Sequence, residues 1–132
     1  MSTFEAIGIA STGTTVYRTW LDAISDNIAN INNATSPSAS AFQERYVIAQ
    51  PALDGKGAQV GGVLFGSAAG RLVYEPSNPL ADARGYVRYP DIDLGTQMGE
   101  LIMAQRGYES NLAVVDRAKD AYSAAIQLGR NA

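Results

Sequence analysis

Three aspartates near the middle of the second half of the chain are the strongest candidates for chemistry. Asp82, Asp91 and Asp93 lie in one short stretch, and carboxylates so placed could act as an acid and base or bind a hard cation such as Mg²⁺. Asp93 also stands just before a long helical pattern, where a side-chain oxygen commonly caps a helix. A cap is therefore the favoured interpretation, and a small hydrolase using these carboxylates is the weaker alternative.

The residue types that are missing exclude much other chemistry. The chain of 132 residues has no His and no Cys, which removes imidazole and thiolate ligands and Ser–His nucleophile pairs. Glycines at Gly55, Gly57, Gly61 and Gly62 match neither the dinucleotide nor the P-loop spacing and are interpreted as turn glycines. We predict no cofactor, no metal and no small-molecule substrate.

Charge and hydropathy argue against nucleic-acid and membrane partners. The chain has 10 Lys and Arg against 13 Asp and Glu, a net charge of −3, so counterion release gives no drive toward polynucleotides. No uncharged apolar stretch approaches the roughly 20 residues that cross a bilayer. The first residues lack the basic and apolar regions of a cleaved signal peptide. We expect no nucleic-acid partner, no membrane span and no cleaved signal.

Residues 4–33 predict a long N-terminal helix. Ser2-x-x-Glu5 forms a capping box at its start, and an Asn-rich stretch followed by Pro37 ends it. A helix of about 28 residues would be about 42 Å long. One face carries a stripe at alternating steps of three and four, formed by Ile7, Ala10, Thr14, Tyr17, Leu21, Ile24, Ile28 and Ile31.

Residues 94–129 predict a second, longer helix that Asp93 caps and Gly129 follows as the C′ residue. Gln105 and Lys119 would be polar positions in its stripe that set register. At about 52 Å, this helix is too long for the core of a compact domain of this size. Its stripe comprises Leu94, Met98, Leu101, Gln105, Tyr108, Leu112, Val115, Lys119, Tyr122 and Ile126.

Between the helices the hydrophobic period changes to that of strands. Residues 42–48, 60–65 and 71–74 alternate aromatic and β-branched side chains, with glycines between them. The predicted fold class is α+β, with an N-terminal helical arm (1–35), a β-rich insert (36–92) and a C-terminal helical arm (93–132). The two stripes could pair as a hairpin within one chain or in a bundle between chains, and their length favours the bundle.

Parts of the sequence resemble a known protein family. Residues 21–35 read Leu-Asp-Ala-Ile-Ser-Asp-Asn-Ile-Ala-Asn-Ile-Asn-Asn-Ala-Thr, which resembles the N-terminal signature of the rod, hook and filament axial proteins of the bacterial flagellum. Residues 74–82 and 85–93, ending in Gly-Tyr-Val-Arg-Tyr-Pro-Asp-Ile-Asp, resemble a narrower segment typical of proximal-rod proteins. The helix from Met98 to Ile126 is similar to the family's C-terminal helix.

The resemblance implies a structural subunit and not an enzyme. Terminal helices of many copies would pack into the hollow proximal rod of the basal body, which transmits motor torque and passes exported subunits, with the insert outside. Implied partners are the chain itself, other proximal-rod proteins, the adaptor at the export gate, the distal rod proteins and the flagellar type III export apparatus. The location implied is the basal body in the periplasm or cell envelope.

The arms are predicted to be largely disordered before incorporation, because Gly, Thr and Asn weaken both helices. The alternatives are a sister rod protein and a soluble helical adaptor whose arms form an intramolecular hairpin. The residues expected to carry assembly are Tyr17, Leu21, Ile24, Asn27, Ile28, Asn30 and Ile31 in the N-terminal arm, and Met98, Leu101, Gln105, Tyr108, Leu112, Val115, Tyr122 and Ile126 in the C-terminal arm. A motif loop is predicted at Tyr74, Pro76, Pro79, Gly85, Tyr86, Val87, Arg88, Tyr89, Pro90 and Asp93.

Overall fold

A computed structural model describes residues 2–130 and contains two long helices with four short strands between them. The predicted α+β class, with a small β insert between terminal helices, is confirmed. The outermost limits of the predicted arms, residues 1, 131 and 132, lie outside the described residues. The elements are α1 (Thr3–Asn30), β1 (Arg45–Pro51), β2 (Ala58–Phe65), β3 (Arg71–Tyr74), β4 (Tyr86–Tyr89) and α2 (Leu94–Arg130).

Helix α1 begins at the predicted cap. The Ser2 hydroxyl accepts a hydrogen bond from the Glu5 amide at 3.1 Å, which satisfies one of the free first-turn donors. The threonines that weaken helix propensity donate their hydroxyls to carbonyls three or four residues earlier, as Thr12 does to Ile9 at 2.7 Å and Thr14 to Ala10 at 3.1 Å. The helix ends at Asn30, earlier than predicted, because the chain after it turns away to pair with β4.

Helix α2 is also capped as predicted. The Asp93 carboxylate accepts hydrogen bonds from the Thr96 amide at 2.7 Å and from its hydroxyl at 2.8 Å. These bonds favour the charged carboxylate and lower the pKa of Asp93. The prediction that Gly129 follows the helix is wrong, since α2 includes Gly129 and runs through Arg130.

Strands β1 and β2 form an antiparallel hairpin whose register runs from Arg45↔Phe65 to Pro51↔Ala58. Gly55 and Gly57 lie between the strands with φ of 72° and 97°, so the turn predicted for them is confirmed. Gly61 and Gly62 do not form a turn, contrary to prediction. They lie within β2 opposite the register shift at Ile48/Ala49, where a bulge accommodates one extra residue.

Strands β3 and β4 form a second antiparallel pair, from Arg71↔Tyr89 to Tyr74↔Tyr86. The strand predicted at 71–74 is confirmed, whereas the loop predicted over residues 86–89 is wrong. These residues are a strand because they pair with β3 along their whole length, with Val87 buried and Tyr86 exposed. The prolines between β3 and β4 favour a loop, and a local sequence analysis extends that loop over the short strand that follows.

The two helices pack side by side and antiparallel within one chain. Near the start of α1 the rings of Phe4 and Tyr122 meet edge to face, with centroids 5.0 Å apart, and at its other end Asn27 bonds Gln97. The β1–β2 hairpin lies along α1, where the Ala58 amide donates to the Thr12 hydroxyl at 3.1 Å. The described chain therefore pairs its arms internally, the less favoured of the two pairings expected from the sequence.

Candidate functional site: the helical hairpin and its junction

Small residues line the seam between α1 and α2. A Cβ atom on Gly107 would overlap the ring of Tyr17, and one on Gly13 would lie 2.6 Å from Asn111 Oδ1. Ala10 and Ala104 are buried in the helices, and Ala104 is completely covered. The helices approach closely because these positions carry little or no side chain, so the space is filled by Tyr17 and Asn111 from the opposite helix.

The seam on α2 is offset from the predicted stripe. Gln97, Ala104, Gly107 and Asn111 face α1, whereas the predicted polar positions Gln105 and Lys119 are exposed. A search for apolar residues at helical spacing misses this line because its members are small or carry amides. The available signal was a pair of small residues three positions apart on each helix, Ala10 and Gly13 on α1 and Ala104 and Gly107 on α2.

The predicted assembly residues fall into three groups. Ile24 and Asn27 are buried, whereas Met98, Gln105, Tyr122 and Ile126 are exposed. The remaining positions are half-buried: Tyr17, Leu21, Ile28, Asn30, Ile31, Leu101, Tyr108, Leu112 and Val115. Their role in contacts between chains stays a prediction, while Tyr17, Asn27 and Tyr122 make contacts within this chain.

A buried amide cluster joins α1, α2 and β1. The Asn27 side chain, only 1% exposed, accepts from the Arg45 amide at 2.9 Å and donates to the Arg45 carbonyl at 3.1 Å. Its second N–H donates to Gln97 Oε1 at 2.9 Å. Asn27 thus pairs with the backbone of β1 as a neighbouring strand would, and all three of its hydrogen bonds hold elements distant in sequence.

Gln97 and Glu44 extend the cluster toward the surface. Gln97, which is fully buried, donates to Glu44 Oε1 at 2.6 Å, and Tyr46 donates to Glu44 Oε2 at 2.6 Å. Asp26 beside Asn27 forms an ion pair with Arg45. Sequence analysis missed Gln97 and Glu44, because no local pattern shows that residues so far apart will share one buried network.

The hydrogen bond to Glu44, followed by burial, raises the pKa of Tyr46 to about 12 from an ordinary 10.0. The neutral phenol is therefore favoured by folding, and its contribution to stability is present below pH 10.0 and is lost as the pH rises toward about 12. In a titration followed by tyrosinate absorbance, we expect the Tyr46→Phe variant to lack one late-ionising phenol. Glu44→Gln should move that late phase to lower pH, and an unchanged titration in both variants would contradict the assignment.

Arg88 in the family-like segment fastens the chain that leaves α1. Its backbone exchanges hydrogen bonds with Thr35 at 2.8 and 2.9 Å, and its guanidinium donates to the Pro37 carbonyl at 2.7 Å and to the Ala69 carbonyl. One arginine in β4 thus joins the segment that follows α1 to the loop between β2 and β3. Arg88 therefore lies in strand β4 and not in the motif loop predicted for it.

The turn between β3 and β4 is closed by Asp82 and Gly85. Asp82 accepts from the Tyr86 amide at 3.0 Å and from the Arg84 amide at 2.9 Å, which lowers the pKa of Asp82. Gly85 has a φ of 83°, and a Cβ there would lie 2.7 Å from Tyr74 Cε2. The turn therefore requires glycine at this position.

Other motif residues support the same small sheet. Tyr89 donates to the Glu75 carboxylate at 3.1 Å, a bond that raises the pKa of Tyr89, while the Arg71 guanidinium lies 5.5 Å from its ring centre. Val87 and Pro90 are buried, whereas Tyr74, Pro76 and Pro79 are exposed. The motif segment thus forms most of the β3–β4 sheet and leads directly into Asp93, the cap of α2.

The three candidate aspartates have separate surroundings in the structure. Asp82 closes a turn, Asp93 caps α2 and Asp91 is exposed. Over residues 2–130, no three acidic side chains gather where they could hold a metal ion. Among the helices described, none is long and apolar enough to cross a bilayer.

Comparison with known proteins gives a consistent result. Residues 83–128 match a family model described as "Flagellar basal body rod FlgEFG protein C-terminal". The chain is 32% identical over 134 residues to the flagellar basal-body rod protein FlgC of Yersinia enterocolitica, covering 98% of this chain and 100% of the relative. It is 28% identical to FlgC of Borreliella burgdorferi over 97% of this chain and 98% of the relative. It is 24% identical to FlgC of Bacillus subtilis over 98% of this chain and 100% of the relative.

Proposed function

The chain belongs to the FlgC family of flagellar basal-body rod proteins, and from this membership we propose that its copies polymerise through their terminal helices. The observation that carries the proposal is that the chain has a long helix at each end and aligns with a rod protein over that relative's entire length. As a structural rod subunit, the chain would transmit torque by packing, and the rod lumen would pass exported subunits.

The helical hairpin supports a load-bearing role. Interlocked side chains along a close seam resist sliding of one helix past the other, and the amide cluster at Asn27 fixes their relative register. Apolar side chains on the outer surface of α2 are available for further packing. They include Met98, Ile102, Met103 and Leu128, each at least 45% exposed.

The proposed partners are further copies of this chain, the other proximal-rod proteins, the adaptor at the export gate and the distal rod proteins. Export by the flagellar type III apparatus without a cleaved signal and placement across the periplasm or cell envelope belong to the same proposal. Placement in the rod is supported by the names of the three relatives described above, each a flagellar basal-body rod protein. Those names favour a rod subunit over a soluble adaptor with the same hairpin.

Ile28→Asp should abolish motility and rod assembly in a strain that carries the variant as its only copy. Ile28 is half-buried on α1, and a carboxylate there would have to lose solvent when subunits pack around it. Swimming assays and electron microscopy of isolated basal bodies provide the measurement. Circular dichroism of the purified variant should show retained helices, so that the loss arises in assembly.

Lys56→Ala is the matched control for this experiment. Lys56 forms an ion pair with Glu5 at 2.9 Å on the surface of the β1–β2 turn, and exposed pairs contribute little to stability. The Lys56→Ala strain should swim normally. Motile Ile28→Asp cells with complete rods would refute the proposed role of α1 in packing.

A further inference from the structure

An uncharged groove lies between α1 and the β1–β2 hairpin. Its volume is about 290 Å³, and it is lined by Gly13, Val16, Tyr17, Trp20, Val47, Ala49 and Ala58. This volume is at the lower limit of small-molecule sites, which also present converging polar groups, and the lining of the groove has no charged side chain. The groove therefore suits an apolar side chain presented by another polypeptide.

The end of α2 presents an exposed apolar side chain, Ile126, beyond the start of α1. The Phe4–Tyr122 contact lies next to the start of α1 at Thr3, so residues 123–130 of α2 extend about 12 Å past the other helix. Ile126 is one turn beyond Tyr122 on the face that packs against α1, and it is 46% exposed. We call residues 123–130 the overhang.

The overhang and the groove match in chemistry but cannot meet within one chain. Before its last residue, Arg130, the overhang carries no charge and includes the small residues Ala124, Ala125 and Gly129, which allow a close approach to an apolar surface. The overhang lies beyond Phe4, whereas the groove begins at Gly13, about 14 Å farther along α1. The overhang and the groove are therefore too far apart to meet in one chain, and a contact between them requires two molecules.

We propose that the overhang of one copy docks in the groove of a second copy, with Ile126 placed between Trp20 and the β1–β2 hairpin. The contact joins two different surfaces, so each copy retains a free groove or a free overhang, and the contact repeats along an open helical array. This inference rests on the proposed rod function and names one contact by which copies of the chain would join.

Because the chain has no Cys, introduced cysteines report the contact without background. Cells should co-express an Ala49→Cys copy, which marks the groove, and an Ile126→Cys copy, which marks the overhang. Mild oxidation of isolated basal bodies should then yield a disulfide-linked dimer on a non-reducing gel. Ser77→Cys, on an exposed loop away from the groove, replaces Ala49→Cys as the control and should give at least tenfold less dimer.

The outcomes separate this inference from the rod function itself. Incorporation of both variants into basal bodies without a dimer above the control would overturn the groove contact and leave the rod function intact. Absence of even the parent chain from basal bodies would overturn both. If only the cysteine variants fail to incorporate, the lone tryptophan of the chain decides the matter in solution.

Trp20 is the single tryptophan and lies in the groove. An Ile126→Asp chain keeps Trp20 and an intact groove, while a Trp20→Phe chain keeps the overhang and contributes no tryptophan signal. Adding the second chain to the first should shift Trp20 emission to shorter wavelength in a saturable manner. An identical response to a chain carrying both substitutions, or no response at all, would overturn the proposal.

Discussion

Asn27→Ala should lower the free energy of unfolding by about 3 kcal/mol, because it leaves buried groups without partners. The Arg45 amide and carbonyl and Gln97 Oε1 all bond the Asn27 amide, and water reaches them poorly when Asn27 itself is only 1% exposed. The loss should also loosen the attachment of β1 to both helices. Urea unfolding followed by circular dichroism measures the change.

Two further variants test whether the amide itself is responsible. Asn32→Ala removes an exposed asparagine just past the end of α1 and should change stability by less than about 0.5 kcal/mol. Asn27→Asp keeps the size and the acceptor but removes both donated bonds, and it should destabilise about as much as Asn27→Ala. A stable Asn27→Asp protein would show that the cluster contributes little.

Gly107→Ala should destabilise the protein by about 1–3 kcal/mol, although alanine favours helices. The added methyl group would overlap the ring of Tyr17 across the seam, so the helices must separate or Tyr17 must leave its position. Thermal unfolding of the purified chain is the measurement. The predicted sign is opposite to the one that helix propensity alone gives.

Gly99→Ala provides the matched control on the same helix. A Cβ at Gly99 meets no atom within 4 Å, so this substitution should stabilise α2 by about 0.5–1 kcal/mol through propensity. In a Tyr17→Ala background the clash is absent, so adding Gly107→Ala there should lower the free energy of unfolding by less than it does in the parent chain. Stabilisation by Gly107→Ala alone would mean that the seam is looser than described.

Local sequence patterns were sufficient for the two helices and their N-terminal caps, although not for the residues at which the helices end. The roles of Ser2 and Asp93 depend on amides three residues away, so a short window contains the whole interaction. The same holds for Gly55 and Gly57, whose positive φ angles serve a turn within one hairpin. The pattern failed at Gly61 and at residues 86–89, because a bulge and a short strand exist only in relation to the strand beside them.

The sequence by itself determined the two terminal helices, the β-rich insert and the resemblance to flagellar rod proteins, since each rests on residues near one another along the chain. Only the tertiary structure decided which helix faces meet. The seam depends on Gly107 opposite Tyr17 and on Asn27 bonded to Gln97, pairs separated by most of the chain. These pairs stabilise the hairpin through close packing and buried hydrogen bonds. Such contacts leave no periodic pattern in the sequence and form only when the helices are packed.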